Sequence, residues 1–491
     1  MFIRPSNRLI QVVLGTIGII SLLALLDTWE KSHSRYRPSI LLLSKHGPSV
    51  PPPAIVSFWS DWAQRFEEAK PSIDPIELQY RASTDRSDEA DGDRTPSQSI
   101  LGLSHEDVDN LHEAHKGLLQ YIRRSTDTFQ NLTSTIYSGA GVVMVAGGQY
   151  FAPAILTLRM LRKTGSRLPV QVFLQSRAEY EPDICEHVLP AMGAECFILE
   201  SFLKHKSSLK ISHYQFKVLA VLFSTFESAV LLDSDCMPLR DPNELLVAEP
   251  FSSTGFISWP DYWIATEDPV FYKIAGLPDF PRNMPARASE SGQLLISKKT
   301  HLPTLLLAAY YNLYGPGYYY PILSQGAAGE GDKETFLAAA VVLGLPYYRV
   351  KKHVGTVGYH TEDGDFKGGA IVQYHPGDDA LVTTTTTTTT TIRPFFLHAN
   401  VPKMNLGRLL DDELLISEKT KKPLRLWGPK VSQEKIFDKD LEMEVWDVLR
   451  AVGCELDNTL RDWVGRSRVC ERAQEHWVEV FEPHRALAGI I

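Results

Sequence analysis

Short apolar runs alternate with helical segments between residues 139 and 235, and this alternation limits the chain to a few folds. The pattern predicts four strands, at Gly141–Ala146, Pro169–Leu174, Cys196–Leu199 and Ala229–Leu232, separated by three helices, at Phe151–Lys163, Pro182–Met192 and Tyr214–Phe226. Strands that alternate with helices of about a dozen residues favour a mostly parallel sheet. The sequence therefore predicts an α/β protein with a Rossmann-like sheet.

Two carboxylates, Asp233 and Asp235, directly follow the fourth predicted strand. Side chains two residues apart point to the same face of a strand, so both acids can reach the crevice where open α/β sheets bind ligands. Mg²⁺ and Mn²⁺ prefer oxygen ligands, supplied by one or two carboxylates and a phosphate. We predict that Asp235 binds a metal directly, and that Asp233 binds ribose or a metal-bound water. The alternative is a simple turn or helix cap, where Asp-x-Asp also occurs.

The acidic balance of the chain argues against a nucleic-acid partner, because its 491 residues carry a net charge of −9. None of the five cysteines forms a close pair with metal-ligand spacing, so a structural zinc site is not expected. Cys185 can pair with Cys196, and Cys454 with Cys470, but the sequence does not decide this. At least one thiol stays free.

An apolar run from Leu9 to Leu26 lies near the N-terminus. As a helix it would measure about 27 Å, enough for a thin bilayer. No small-residue cleavage site follows, which favours an uncleaved signal anchor. Asn131 begins an Asn-Leu-Thr sequon, a glycosylation signal that also occurs by chance. The predicted organisation is a tail at 1–8, an anchor at 9–26, a partly disordered stem at 27–134, a catalytic domain at 135–430 and a helical C-terminal extension at 431–491.

Eight short motifs follow one another in order between residues 139 and 404. They are Val145–Phe151, Leu158–Arg162, Tyr214–Lys217, Leu231–Asp235, Trp259–Trp263, Glu290–Gln293, Gly331–Phe336 and Phe396–Asn400. With these motifs the chain resembles the fungal Golgi α-mannosyltransferases of glycosyltransferase family 71, in particular the group that adds α1,2-mannose to cell-wall mannan. Each motif alone is weak, but eight in the expected order are specific.

The resemblance implies a GT-A type nucleotide-diphospho-sugar transferase fold, a GDP-mannose donor and Mn²⁺ or Mg²⁺ as cofactor. It also implies a mannan or N-glycan acceptor, a possible mannosyltransferase complex, and a single-pass type II Golgi membrane protein whose stem and catalytic domain are lumenal. His398 becomes a third metal ligand by the resemblance, whereas its residue pattern alone is typical of a core histidine. An α-linked product from GDP-α-mannose means retention, and we favour front-face attack because no sequence feature assigns a nucleophile.

Four further residues are candidates for binding the nucleotide. Gly147 and Gly148 follow the first strand, where backbone amides can approach a nucleotide, or they form a plain turn between strand and helix. Lys217 and Arg159 lie on predicted helices, and either can balance diphosphate charge. The alternative for both cations is a solvated helix face.

The sugar-binding candidates lie further along the chain. Glu290 and Gln293 flank a glycine and can bond mannose hydroxyls, or Glu290 can cap a turn. Asp332 is either a helix N-cap or a ligand of the donor sugar or of the acceptor hydroxyl. Trp259 and Asp261 belong to an aromatic cluster that can line an acceptor groove or fill the core. With Asp233 and Asp235, the carboxylates of Glu290 and Asp332 are the catalytic candidates.

Three functions fit the sequence. The first is α1,2-mannosyl transfer, and the second is α1,3-mannosyl transfer by the same family. The third is a catalytically silent glycan-binding subunit of a mannosyltransferase complex. The intact pair Asp233 and Asp235 argues against the third, because a silent subunit does not need a metal. The choice of linkage should depend on residues between Trp259 and Phe336.

Overall fold

The computed structural model of the chain describes residues 47–84, 96–203, 211–212, 214–277, 284–384 and 391–482. The predicted tail and anchor, and residues 27–46 and 85–95 of the predicted stem, lie outside the described residues. Within these ranges no helix is both long enough and apolar enough to cross a membrane.

The described strands form a sheet of seven and a sheet of four. They are β1 Ala140–Ala146, β2 Val170–Leu174, β3 Ala194–Ile198, β4 Ser228–Leu232, β5 Cys236–Pro238, β6 Phe256–Ile264, β7 Arg287–Ser297, β8 Tyr348–Arg349, β9 Gly355–His360, β10 Phe366–Tyr374 and β11 Pro394–His398. The larger sheet has the order β3-β2-β1-β4-β7-β6-β8, and the smaller β5-β11-β10-β9. Only β7 runs antiparallel to its neighbours in the described part of the larger sheet. The predicted mostly parallel α/β sheet is confirmed.

The helices cover both faces of the larger sheet. They are α1 Pro53–Glu68, α2 His105–Arg124, α3 Thr126–Ile136, α4 Phe151–Lys163, α5 Leu189–Ala191, α6 Gln215–Phe223, α7 Asn243–Leu246, α8 Phe251–Thr254, α9 Val270–Ile274, α10 Lys298–Leu313, α11 Tyr320–Ser324, α12 Lys333–Leu343, α13 Pro376–Thr384, α14 Leu406–Asp411, α15 Lys430–Phe437, α16 Leu441–Leu456 and α17 Val469–Phe481. A π-helical turn, Asp183–Val188, leads into α5.

The strand order creates a crevice between β1 and β4. From β1 the chain adds β2 and β3 on one side, and it then places β4 on the other side of β1. Parallel sheets bind ligands where the winding direction reverses, outside the carboxyl ends of the two strands. The Gly147–Gly148 turn follows β1 and Asp233 follows β4, so both predicted features meet at this crevice.

Two hydrophobic cores lie on opposite faces of the larger sheet because its strand residues alternate. Val142 and Met144 of β1 face the first core, which holds α4, the smaller sheet and the C-terminal helices with Trp446. Val143 faces the second core, which holds α1, α2, α6 and α10. The predicted C-terminal helices are therefore packed on the sheet rather than separate from it.

The described part of the predicted stem contributes to the second core. The aromatic stripe of α1, Phe58, Trp59, Trp62 and Phe66, is buried, and the Trp59 ring meets that of Phe223 edge to face at 5.1 Å. The described residues of 53–84 and 96–136 are thus an integral part of the fold and not a spacer, because their apolar face is covered by the sheet domain.

A group of buried tyrosines on α10 and after it holds this N-terminal segment. Tyr310 Oη donates to the carbonyl of Ala69 at 2.9 Å, and Tyr314 Oη donates to that of Phe66 at 2.8 Å. Both hydroxyls are therefore occupied by main-chain carbonyls. The tyrosine group is core, and it does not line a groove.

We expect Trp59→Ala to destabilise the protein by about 3–5 kcal/mol, because it leaves a large cavity in a close-packed core. The measurement is the free energy of unfolding in urea. Tyr80→Ala is the control, since Tyr80 is 61% exposed. A loss no larger than that of the control would contradict the assignment of α1 to the core.

Both possible cysteine pairs are disulfides. Cys185 is bonded to Cys196, and Cys454 to Cys470. Cys236 is free and buried in β5. The second disulfide joins α16 to α17 and so fixes the C-terminal helices to each other.

Candidate active site

The turn from Asp233 to Asp235 is held from three sides. The amide of Asp233 donates to the Gly292 carbonyl on β7 at 2.7 Å, and Thr157 Oγ1 on α4 donates to the Ser234 carbonyl at 2.8 Å. The Asp235 carbonyl accepts from the amide of Ala399, just after β11, at 2.9 Å. Because three separate elements fix its backbone, the turn presents both carboxylates in a defined position.

Asp233, Asp235 and His398 form a triad. One ligand atom from each lies within 4.8 Å of the others, and His398 Nε2 is 3.3 Å from Asp235 Oδ1. Gly292 makes room for the imidazole, since a Cβ at this position would come within 2.5 Å of His398 Nδ1. The resemblance led us to expect His398 beside the two acids, and the structure places it there.

Lys403 is a site residue that the sequence did not predict. Its Nζ donates to Asp235 Oδ2, while its side chain is 44% exposed. The only sequence signal for Lys403 was its position five residues after His398. This signal is weak, because lysines are common on loops. Burial raises the pKa of Asp235, and His398 and Lys403 outweigh that effect and hold it well below its usual range.

Lys217 joins Asp233 to Asp332. Its Nζ lies 3.1 Å from Asp233 Oδ2 and 3.3 Å from Asp332 Oδ2, and it donates to Ser291 Oγ at 2.9 Å. Burial lowers the pKa of Lys217, but the two carboxylates more than reverse this and keep it charged. Asp332 occupies the N-cap position of α12 but makes no side-chain cap bond, because its carboxylate faces Lys217 instead.

Glu290 and Gln293 both lie on β7 beside the triad. Glu290 Oε1 accepts from the Gly292 amide at 2.6 Å and lies 3.5 Å from His398 Nδ1. Burial raises the pKa of Glu290, but His398 overrides burial and lowers it to about 2. Gln293 Oε1 accepts from the Cys236 thiol at 3.1 Å, and its Nε2 has no hydrogen-bond partner among the described residues.

His398 lies between the carboxylates of Asp235 and Glu290. Burial favours its neutral form, but the two acids outweigh burial and hold the pKa of His398 well above its usual range. The imidazole is therefore surrounded by negative charge on both ring nitrogens.

The Gly147–Gly148 turn borders the active-site cluster, which consists of the triad and the four charged residues around it, Lys217, Glu290, Asp332 and Lys403. Gly147 and Gly148 have φ values of +124° and +50°, which glycine adopts without strain. The carbonyl of Gln149 accepts from Asn405 at 2.8 Å, and Lys403 Nζ lies 5.8 Å from the centre of the Tyr150 ring. Lys403 thus stands between the glycine turn and Asp235.

Two predicted binding residues are not brought to the cluster. The Arg159 guanidinium pairs with Glu455 on α16, which directs its charge to a helix contact instead of a diphosphate. The Trp259 ring is fully buried, and its Nε1 donates to the Tyr374 carbonyl at 2.8 Å, so it cannot stack on a sugar.

Asp261 is buried and forms a 2.6 Å ion pair with Lys333, so it borders the cluster through the residue after Asp332. Asn131 lies within α3, and its side chain lies outside what the structure describes.

The cluster fits a divalent cation. In the described part of the site, the four carboxylates of Asp233, Asp235, Glu290 and Asp332 face two lysines, Lys217 and Lys403. The two negative charges left over equal the charge of one divalent cation, since His398 would bind it as a neutral imidazole. Carboxylate oxygens suit Mn²⁺ and Mg²⁺, and the lack of a side chain at Gly292 leaves room for the His398 imidazole beside them.

Comparison with known proteins decides the family. The family model described as "Mannosyltransferase putative" matches residues 139–284 and 277–378. Alpha-1,2-mannosyltransferase MNN21 of Candida albicans is 32% identical over 498 residues, covering 85% of this chain and 74% of that protein. The chain belongs to this family. It is therefore a glycosyltransferase, as the motifs predicted.

Other similar proteins match smaller parts of the chain. Alpha-1,2-mannosyltransferase MNN2 of Saccharomyces cerevisiae is 37% identical over 309 residues, which cover 56% of this chain and 51% of that protein. A crystal structure of the glycosyltransferase GlyE of Streptococcus pneumoniae aligns with a TM-score of 0.29 and 12% identity, over 43% of this chain and 45% of that one. The family is identified by the sequence relatives, and not by this structural alignment.

We expect Asp332→Asn to change how the stability of this mannosyltransferase depends on pH. Burial raises the pKa of Asp332 from 3.8 to about 6, although Lys217 opposes the shift. An acid with a raised folded-state pKa contributes stability that is present below its unfolded pKa and lost as the pH rises through its folded pKa. Relative to Asp332→Asn, the wild type should lose about 2 kcal/mol between pH 4 and pH 7.

The measurement is urea unfolding at several pH values without added metal. The exposed Asp74→Asn is the control and should track the wild type. Parallel curves for the wild type and Asp332→Asn would contradict the assignment.

Proposed function

We propose that the protein is a metal-dependent retaining α1,2-mannosyltransferase with a GT-A type fold. Its donor is GDP-mannose, and its acceptor is a mannose-terminated mannan or N-glycan chain. The observation that carries the proposal is the triad of Asp233, Asp235 and His398 at the crevice where the winding of the sheet reverses. The family supplies mannose as the sugar, and the names of its α1,2-transferring relatives favour that linkage over α1,3.

The triad would hold Mn²⁺ or Mg²⁺, which when bound acts as a Lewis acid on the departing diphosphate. Lys403 is placed to bind the same diphosphate, because its half-exposed ammonium lies between Asp235 and the glycine turn. The amides of the Gly147–Gly148 turn can approach the nucleotide from the other side. Donor binding therefore gives Lys403 a second anionic partner besides Asp235.

Glu290, Gln293 and Asp332 form the side of the cluster that we assign to the donor sugar. The Nε2 of Gln293 is a buried donor that a mannose hydroxyl can satisfy. The Glu290 and Asp332 carboxylates are both engaged, by the Gly292 amide and by Lys217. With both acids paired in this way, we favour front-face attack, in which an oxygen of the departing diphosphate takes the proton of the acceptor hydroxyl. A mannosyl adduct trapped on either acid would overturn that mechanism.

We place the catalytic body in the Golgi lumen, anchored by residues 9–26 as a type II membrane protein. The two disulfides support an oxidising compartment, since such bonds are rare in the cytosol. The same hypothesis includes binding to other subunits of a mannosyltransferase complex.

The test is product analysis with the full chain, GDP-mannose, Mn²⁺ and an α-mannobiose acceptor. We expect GDP release that depends on metal and acceptor, and a product cleaved by an α1,2-specific mannosidase. An α1,3 linkage would replace the proposed activity with the second hypothesis. Acceptor binding without turnover would favour the silent subunit.

A further inference from the structure

Tyr262 and Trp263, here called the aromatic ledge, are exposed at the end of a buried strand. Tyr262 is 51% and Trp263 37% exposed, whereas Trp259 on the same strand is fully buried. The two rings meet edge to face with their centroids 5.1 Å apart. Contiguous exposed apolar patches mark binding surfaces, and these two adjoining rings form a small patch of this kind.

A local irregularity of the sheet produces the ledge. The pairing of β6 with β7 shifts register between Pro260 and Ile264, so the residues between them leave the regular ladder. Irregularities of this kind turn side chains away from the core and are common beside active sites. Arg287 on β7 holds the ledge, since its Nη1 donates to the Tyr262 carbonyl at 2.5 Å.

Polar contacts connect the ledge to the active site. The Asp261 carboxylate accepts from the Tyr262 amide at 2.6 Å and from Lys333 Nζ at 2.6 Å. Lys333 directly follows Asp332, which shares Lys217 with the triad residue Asp233. The ledge is therefore fixed to the same framework that positions the triad.

Strand order places the ledge on the side of the triad away from the nucleotide. The sheet runs β1, β4, β7, β6, with the glycine turn after β1 and the triad acids after β4. Leu232 at the end of β4 pairs with Gln293, and Glu290 pairs with Trp259. Tyr262 and Trp263 follow Trp259 along β6, so they extend beyond the edge of the sheet where the triad lies.

We propose that the aromatic ledge is the acceptor subsite, which binds the mannose units behind the one that receives the new sugar. One face of a mannose ring carries C–H groups and packs against an aromatic ring, while its hydroxyls stay in water. Rigid aromatic side chains provide this contact at a low entropic cost. The inference rests on the proposed function, and it means that acceptors with several mannoses are preferred over a single mannose.

The test uses the full-length double variant Tyr262→Ala/Trp263→Ala and the single variant Trp263→Ala. We expect the KM for α-mannotriose to rise about tenfold or more in the double variant, because central aromatic contacts carry much of the binding energy. GDP-mannose hydrolysis without acceptor should stay within about twofold of wild type. The control is Phe366→Ala, since Phe366 is 48% exposed at the start of β10. It should leave all rates unchanged.

Binding of α-mannotriose, followed by saturation-transfer NMR, separates the inference from the proposed function. Loss of this binding in the double variant supports the ledge even if the wild type transfers no mannose, and the proposed function then fails alone. An unchanged KM or unchanged binding overturns the ledge while transfer by the wild type stands. An equal fall in donor hydrolysis and transfer also overturns it, because the ledge would then shape the donor site. If the double variant does not fold, Trp263→Ala is compared with the wild type instead. We expect the same changes in KM and in α-mannotriose binding, but smaller ones.

Discussion

Asp235→Asn should reduce mannosyl transfer by about three orders of magnitude or more, while the protein stays folded. Asp235 is the one residue that touches both His398 and Lys403 within the described site. The substitution keeps the size of the side chain and removes its charge, so the proposed metal site loses a ligand and Lys403 loses its anionic partner. Several kcal/mol of leaving-group stabilisation should be lost with them.

Three measurements check this prediction: GDP release with saturating Mn²⁺, Mn²⁺ binding by calorimetry, and thermal unfolding. The matched control is Asp363→Asn, because Asp363 also pairs with a lysine, Lys419, but on the exposed surface. The control should keep both activity and Mn²⁺ affinity. Substantial Mn²⁺-dependent transfer by Asp235→Asn would refute its role as a metal ligand.

The parts of the fold predicted from sequence were those with a local signal. The helix Phe151–Lys163 has the predicted bounds, and the strand ending at Leu232 begins one residue earlier than predicted. Both follow from short-range hydrophobic periodicity. The smaller sheet was not predicted, since it pairs β5 with β11, whose residues lie far apart in sequence. Periodicity cannot specify which distant strands pair.

The site residues likewise divide into those with a local sequence signal and those without one. Asp233 and Asp235 were found because they are two residues apart, whereas His398 required the resemblance. Lys403 was missed because only the folded loop brings it to Asp235. Trp259 was assigned to a sugar-binding cluster because the sequence does not show that it is buried while Tyr262, which follows the register shift after Pro260, is exposed. In each case the missing information is a tertiary contact.

Lys217→Met should weaken both stability and activity. Lys217 is the shared counter-ion of Asp233 and Asp332, and its removal leaves two carboxylates without compensation in a buried site. Breaking a buried ion pair by removing one partner costs about 3–5 kcal/mol. Because Asp233 also loses its hydrogen bond from Lys217, the triad is less well positioned, and transfer should fall about a hundredfold.

The matched control is Arg159→Met, which removes the other predicted cation. Arg159 pairs with Glu455 away from the site, so its loss should leave transfer unchanged. The double variant Lys217→Met/Asp332→Asn then separates the two effects of Lys217. Neutralising Asp332 should restore part of the free energy of unfolding but not the rate of GDP release, since Asp233 still lacks its partner. Recovery of both quantities would limit Lys217 to a structural role, and wild-type behaviour of Lys217→Met would refute its place in the site.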